Sequence, residues 1–239
     1  MPETAETAGR AMLYGRRKGR PLRAHQQDLV DHLLPEVTLD AARLGTAPLA
    51  QFPPGLSQLR LEVGFGGGEH LAHEARSHPQ TAFIGCEPFA NGVARLLVDI
   101  ANEHLTNVRV YPDDAGAIIK ALPEACLDGV DVLFPDPWPK RRQKQRRFIS
   151  DARLISLARV MPQGAPLRFA TDIDDYAAWT LARIARSPHF IWRATKADDW
   201  RQPWPNWPGT RYEAKAKAAG RPSVWLVFER NAFPATSAP

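Results

Sequence analysis

The stretch Leu61-Glu62-Val63-Gly64-Phe65-Gly66-Gly67-Gly68-Glu69 decides the fold of this 239-residue chain. An apolar run over residues 59–63 ends in a glycine-rich turn, and residues 70–76 then read as a helix. Strand, tight turn and helix in that order open a nucleotide-type α/β fold, whose ligands bind outside the carboxyl ends of the strands. Glycine at Gly64 and Gly66 lets the backbone take φ > 0 and approach a ligand closely. The spacing then separates ligand classes. A dinucleotide fingerprint, G-x-G-x-x-G, begun at Gly64 needs glycine where Glu69 stands. The chain has G-x-G-x-G instead, with Glu62 two residues before the first glycine.

Carboxylates at that rim repel a pyrophosphate and favour a cation. S-adenosyl-L-methionine has no phosphate but carries an ammonium and a sulfonium, so the motif points to a methyl donor. Further acids support this. Residues 81–87 read as a second strand ending in Glu87, placed to accept both ribose hydroxyls of an adenosine. A third strand over residues 108–111 is followed by Asp113 and Asp114, one of which can accept from the adenine amino group. Any one of these acids alone also reads as a surface carboxylate or helix cap. Three at successive strand ends, behind a glycine loop, read as a site.

A second motif lies downstream. Phe134-Pro135-Asp136-Pro137-Trp138-Pro139-Lys140 closes the apolar run 130–134. Its three prolines fix φ and forbid helix, which predicts that Asp136 and Trp138 are held extended at the end of a fourth strand. A carboxylate so placed can read a base. Arg141, Arg142, Lys144, Arg146 and Arg147 follow at once and can grip a phosphate backbone.

Charge is unevenly distributed. Residues 10–23 hold six basic side chains and no acid, and residues 140–147 hold six more. Outside these clusters nineteen basic residues face twenty-six acidic ones, so the remainder of the chain repels polyanions. Nucleic acid is the expected partner. No apolar run approaches membrane-spanning length and residues 1–20 contain no signal-peptide core, so a cytoplasmic protein without a membrane partner is expected. Cys86 and Cys126 form neither a metal spacing nor a disulfide framework, and no metal site is expected.

The pattern continues with a helix over residues 22–34 ending before Pro35, a linker at 48–54, and helices at 91–104, 148–160 and 176–186. A fifth strand covers residues 166–170 and ends at Thr171-Asp172, and late strands cover 190–194 and 223–229. Between the late strands, Trp200, Trp204 and Trp207 alternate with prolines in a stiff loop, read either as a base-stacking platform or as tryptophans tucked over the core. Thr210-Arg211-Tyr212-Glu213 then suits polar recognition better than packing.

These motifs together resemble the bacterial tRNA (guanine-46-N7)-methyltransferase family. The resemblance rests on residues 61–66, Gly85-Cys86-Glu87, Asp114-Ala115, residues 134–140, Arg146-Arg147, Thr171-Asp172, residues 210–213 and Phe228-Glu229-Arg230, and spans about residues 15–230. It implies a Rossmann-like class I α/β fold with a seven-stranded, mostly parallel sheet and an antiparallel last strand. A methyltransferase domain would occupy residues 55–239, after a basic, partly disordered arm and helix over residues 1–54. The implied donor contacts are Glu62, Gly64, Gly66, Glu87, Asp114 and Asp136, with Asp136 also catalytic. The implied guanosine contacts are Lys140, Asp172, Thr210, Arg211, Tyr212 and Glu213, and the implied RNA contacts are Arg142, Lys144, Arg146 and Arg147. The implied substrate is guanosine 46 in the tRNA variable loop, and the oligomeric state (monomer or homodimer) stays open. Two rivals lose ground: an NAD-dependent oxidoreductase lacks its third fingerprint glycine, and a non-catalytic RNA binder has no use for the ordered acids.

Overall fold

The computed structural model describes Arg17 and residues 19–234. Residues 1–16 and 18 of the arm expected to be partly disordered, with Arg10, Arg16 and Lys18, lie outside the described residues. Seven strands among the described residues form one sheet: β1 (Gln58–Val63), β2 (Thr81–Cys86), β3 (Val108–Tyr111), β4 (Gly129–Leu133), β5 (Pro166–Thr171), β6 (Phe190–Trp192) and β7 (Val224–Arg230). Their order is β3-β2-β1-β4-β5-β7-β6. Strands β1 to β5 are mutually parallel, and β7 runs antiparallel to both β5 and β6. The order reverses between β1 and β4, and such a switch point opens a crevice at the carboxyl ends of the strands.

Helices cover both faces. Helices α1 (Ala24–Val37), α2 (Glu69–Ser77) and α3 (Ala90–Glu103) contribute to one apolar cluster with Phe83, Val108 and Val110. Helices α4 (Ala115–Ala121), α5 (Asp151–Val160) and α6 (Asp174–Arg186) cover the other, built on Leu61, Ile84, Val132 and Phe169. Two short helices, α7 (Asp198–Arg201) and α8 (Arg211–Ala218), flank the tryptophan loop.

Several local expectations change. Helix α1 continues through Pro35 to Val37. Pro35 and Asp31, the residue whose carbonyl loses its helical partner, are both exposed, so the loss falls at a solvent-facing position. Burial of Val37 and the bond from Leu39 N–H to the Val110 carbonyl (2.8 Å) hold the last turn. Residues 48–54 are not a free linker: Pro48–Gln51 form a 3₁₀ turn, Phe52 is buried, and the Gln51 carbonyl accepts from Arg109 Nε at 2.7 Å. Trp138 is not extended but left-handed (φ 43°), as is Phe134 (φ 48°), so the proline segment folds back on itself. Helices α4 and α8 went unread because each is brief and is capped by a polar residue, Asp114 or Thr210, that also reads as a loop. The tryptophans tuck over the core, Trp200 against the main cluster and Trp204 and Trp207 against Leu133, Ala170 and Trp225.

The interior also holds charge. Register places Glu62 beside Asp131 and Asp131 beside Arg168, so these side chains share one sheet face with Arg60. Asp131 accepts from Arg60 Nη2 at 3.2 Å and from Arg168 Nη2 at 2.9 Å, and Arg168 also donates to Glu74 of α2 at 2.9 Å. Burial alone would raise the Asp131 carboxyl, but the two guanidiniums hold it well below the usual carboxylate range. Breaking such a group from one side leaves uncompensated buried charge. Asp131→Asn is therefore expected to cost about 3–5 kcal/mol, read as a lower urea midpoint at pH 7, and an unchanged midpoint would contradict it. Because the folded-state carboxyl is depressed, this contribution is present above the ordinary aspartate range of about pH 4 and fades as pH falls below it.

Candidate active site

A cleft of about 520 Å³ opens at the carboxyl ends of β1 to β4, within the range of small-molecule sites. Gly64, Glu87, Asp114 and Asp136 all line it, with Phe134, Trp138, Arg153 and Tyr212 among its other walls. The glycine loop is shaped by Gly64 (φ 69°), Gly66 (φ 60°) and Gly68 (φ 82°), conformations that L side chains avoid. Close packing against α3 fixes it from behind: a Cβ on Gly92 would stand 2.0 Å from the Gly66 carbonyl oxygen.

Each acid is held by local backbone. Glu87, one residue past β2, accepts from Gly66 N–H at 2.7 Å and from Phe89 N–H at 2.9 Å. Asp114 caps α4 by accepting from Gly116 N–H at 2.7 Å, and its second carboxylate oxygen remains for a ligand. Asp136 stands between its prolines at the mouth. Burial pushes the Glu87 carboxyl up; its backbone hydrogen bonds oppose this, and the charge of Asp136 adds to it. Asp136 is raised as well: its surface is open, but the surrounding walls withhold enough water to disfavour the charge. A cleft with four carboxylates, Asp113 among them, and a glycine cradle at positive φ fits a ligand that is cationic at one end and carries hydroxyl and amine donors at the other. S-adenosyl-L-methionine is such a ligand.

A family model described as "Putative methyltransferase" matches residues 57–226. The tRNA (guanine-N(7)-)-methyltransferase of Agrobacterium fabrum is 48% identical over 96% of this chain and 100% of its own length. That of Bradyrhizobium diazoefficiens is 49% identical over 91% of this chain and 93% of its own. The chain belongs to the tRNA (guanine-N(7)-)-methyltransferase family. It is an S-adenosyl-L-methionine-dependent methyltransferase. The fold recurs at low identity in solved structures: the 16S rRNA methyltransferase KamB (15% identical, TM-score 0.55, covering 79% of this chain and 95% of that one) and the antibiotic-resistance methyltransferase Kmr (17%, TM-score 0.52, covering 80% and 98%).

Not every residue expected from the family resemblance reaches the cleft. Glu62 does not line it. Strand pleating turns the carboxylate onto the charged face, where His70 Nδ1 lies 2.7 Å from it and both side chains are buried. Burial raises Glu62; for His70 burial opposes, but the charge and hydrogen bond of Glu62 outweigh it and hold the imidazole up. Glu62 thus braces the start of α2 beneath the glycine loop. Arg147 is not an RNA-facing cation either. Its side chain is fully buried, donating to the Pro137 carbonyl at 2.8 Å and pairing with Asp175, with Tyr176 and Trp179 stacked on it. It pins the proline segment to α6. Lys144 is tied to Asp175 at 2.6 Å, whereas Arg142 and Lys140 are exposed.

The guanosine set divides similarly. Tyr212 lines the cleft, and a Cβ on Gly66 would meet its ring at 2.7 Å. Thr210 caps α8 by accepting from Glu213 N–H at 3.1 Å, and Glu213 accepts from Trp207 Nε1 at 2.5 Å. Asp172 lies outside the cleft lining and takes Arg221 Nε at 2.7 Å. One contributor was missed: Arg153 of α5 lines the cleft within the field of Asp114. No motif marks it, since a lone arginine on an amphipathic helix reads as a solvated position.

Glu87 and Asp136 hold their protons to higher pH than ordinary carboxyls, so the cleft loses negative charge as the solution is acidified. As the solution is acidified, affinity for the cationic donor is expected to begin falling at a pH above the ordinary carboxyl range of about 4, followed by calorimetric titration. A flat profile would remove both carboxylates from donor binding.

Proposed function

We propose that the chain transfers a methyl group from S-adenosyl-L-methionine to N7 of a guanosine in tRNA, at position 46 of the variable loop. The observation that carries this reading is the placing of Asp136, at the mouth of the cleft that Glu87 and Asp114 line and immediately before an exposed cationic turn. The names of the relatives supply the substrate class. The donor, when bound, presents an electrophilic methyl group. N7 of guanine offers an exposed lone pair with no proton to remove, so the chain needs no general base. Its contribution is alignment.

Glu87 and Asp114 are suited to accept from the ribose hydroxyls and adenine amine and so orient the donor. Asp136 is suited to accept from the N–H groups of guanine, which also rejects adenine, and to stabilise the positive charge the purine gains. Tyr212 offers a wall against which the base can rest. Lys140, Arg141 and Arg142 are free to meet the adjoining phosphates. The target base is partly buried in folded tRNA, so local opening accompanies binding. A cytoplasmic site of action follows from this substrate; among the described residues no helix is long and apolar enough to cross a membrane.

Incubation of tRNA with protein and donor, followed by borohydride and aniline cleavage, should produce strand scission at guanosine 46. Scission at a different guanosine would overturn the position, and no scission the activity. Asp136→Ala should lower kcat/KM for tRNA by about 10²-fold in a labelled-methyl transfer assay, and near-normal turnover would remove Asp136 from the mechanism.

A further inference from the structure

Beside the donor cleft lies a second groove of about 1090 Å³, formed by the start of α1, the outer side of α3 and α8. Its walls carry Arg20, Arg23, Arg95, Arg211 and Lys215, against the carboxylate of Asp99. None of the residues of the Arg141–Arg146 turn reaches it. It adjoins the active site directly, because Arg211 faces the groove while the next residue, Tyr212, faces the cleft.

The groove exists because the N-terminal arm is docked. Ala90 N–H donates to the Arg17 carbonyl at 3.0 Å, Gly19 N–H to Asn91 Oδ1 at 2.8 Å, and Asn91 Nδ2 to the Arg20 carbonyl at 2.7 Å. Arg17 also reaches Asp113, itself part of the cleft wall, at 3.3 Å. A Cβ on Gly19 would stand 2.6 Å from Asn91 Oδ1 and 2.8 Å from the Phe89 ring, so the close approach needs glycine. The docked arm presents Arg20 and Arg23 with no carboxylate of the described residues in ion-pair contact. Arg95 and Arg211 both lean on Glu69, at 3.3 and 3.8 Å, through partly exposed pairs that contribute little and exchange readily for another anion.

We propose that this groove holds the phosphodiester backbone of the tRNA, as a second anchor distinct from the Arg141–Arg146 turn, and so sets the angle at which the target nucleotide enters past Tyr212. Five cations along an open channel, facing the single carboxylate of Asp99, suit a polyanion better than a single phosphate. The proposal rests on the tRNA reading above.

The test uses the full chain, fluorescently labelled tRNA and anisotropy titrations across a range of salt. For Arg20→Glu/Arg23→Glu the tRNA Kd should rise at least about tenfold, and the slope of log Kd against log salt should fall by about 2. Lys215→Glu should shift both by about half as much on the logarithmic scale. Calorimetric donor affinity and kcat at saturating tRNA should stay at wild-type values. Lys196→Glu, exposed beyond β6, should change nothing. A wild-type Kd and slope in the groove variants overturns the proposal, as does an equal loss with Lys196→Glu. If the arm variant also loses donor binding, Lys215→Glu decides by the same criteria. A wild-type chain that binds tRNA through the groove yet forms no N7-methylguanosine would sink the catalytic reading and leave the groove standing.

Discussion

Asp131, clasped between Arg60 and Arg168 in the middle of the sheet, is the interaction on which the rest of the structure is arranged. A buried carboxylate is tolerable because two guanidiniums neutralise it and Glu74 balances them in turn. The group ties β1, β4 and β5 to α2 through side chains as well as through the strand ladders. It is roofed by aromatic rings: Trp204 lies over Arg168 at 5.1 Å and Trp207 lies against His70 at 5.2 Å. Trp207 in turn donates to Glu213, so the segment ending in Glu213 is fastened through His70 and Glu62 to the strand that launches the glycine loop. The tryptophan loop therefore joins the sheet to the segment that carries Tyr212 into the cleft.

Above this base the site separates charge by depth. Among the carboxylates lining the cleft, Glu87 and Asp136 have an ionised form penalised by burial, and at Glu87 by Asp136 as well, which a cationic ligand relieves. The exposed surroundings are positive: Lys140, Arg141 and Arg142 on one turn, and the arginines and lysine of the docked arm, α3 and α8 elsewhere. Such a separation favours a polyanion at the rim and a cation on the floor. Arg153 stands where the two regimes meet, facing Asp114 across the cleft wall.

Much of this was legible in the residues alone. Strands β1 to β5 begin or end within a residue or two of the apolar runs that announced them, because buried parallel strands are continuous apolar segments bounded by turns. Glu87, Asp114 and Asp136 are strand-end acids, and strand ends converge at one edge of a parallel sheet, so their common cleft followed from topology. Glu62 resisted the same reading. It lies within its strand, and pleating turns it to whichever face its register dictates, here toward Asp131. Arg147 resisted it too, since nothing in a run of cations says which one turns inward to stack on Tyr176 and Trp179.

By itself, then, the order of residues determined the α/β architecture, the class of donor and the acids that line the cleft, because these depend on local periodicity and on spacing along one segment. Tertiary structure decided which charges are buried partners and which are exposed contacts, how the proline segment bends at Phe134 and Trp138, and where the arm docks. Those outcomes are set by contacts between residues far apart in the chain, such as Gly19 with Asn91 and Asp131 with Arg168, whose energies depend on burial and distance that no linear pattern encodes.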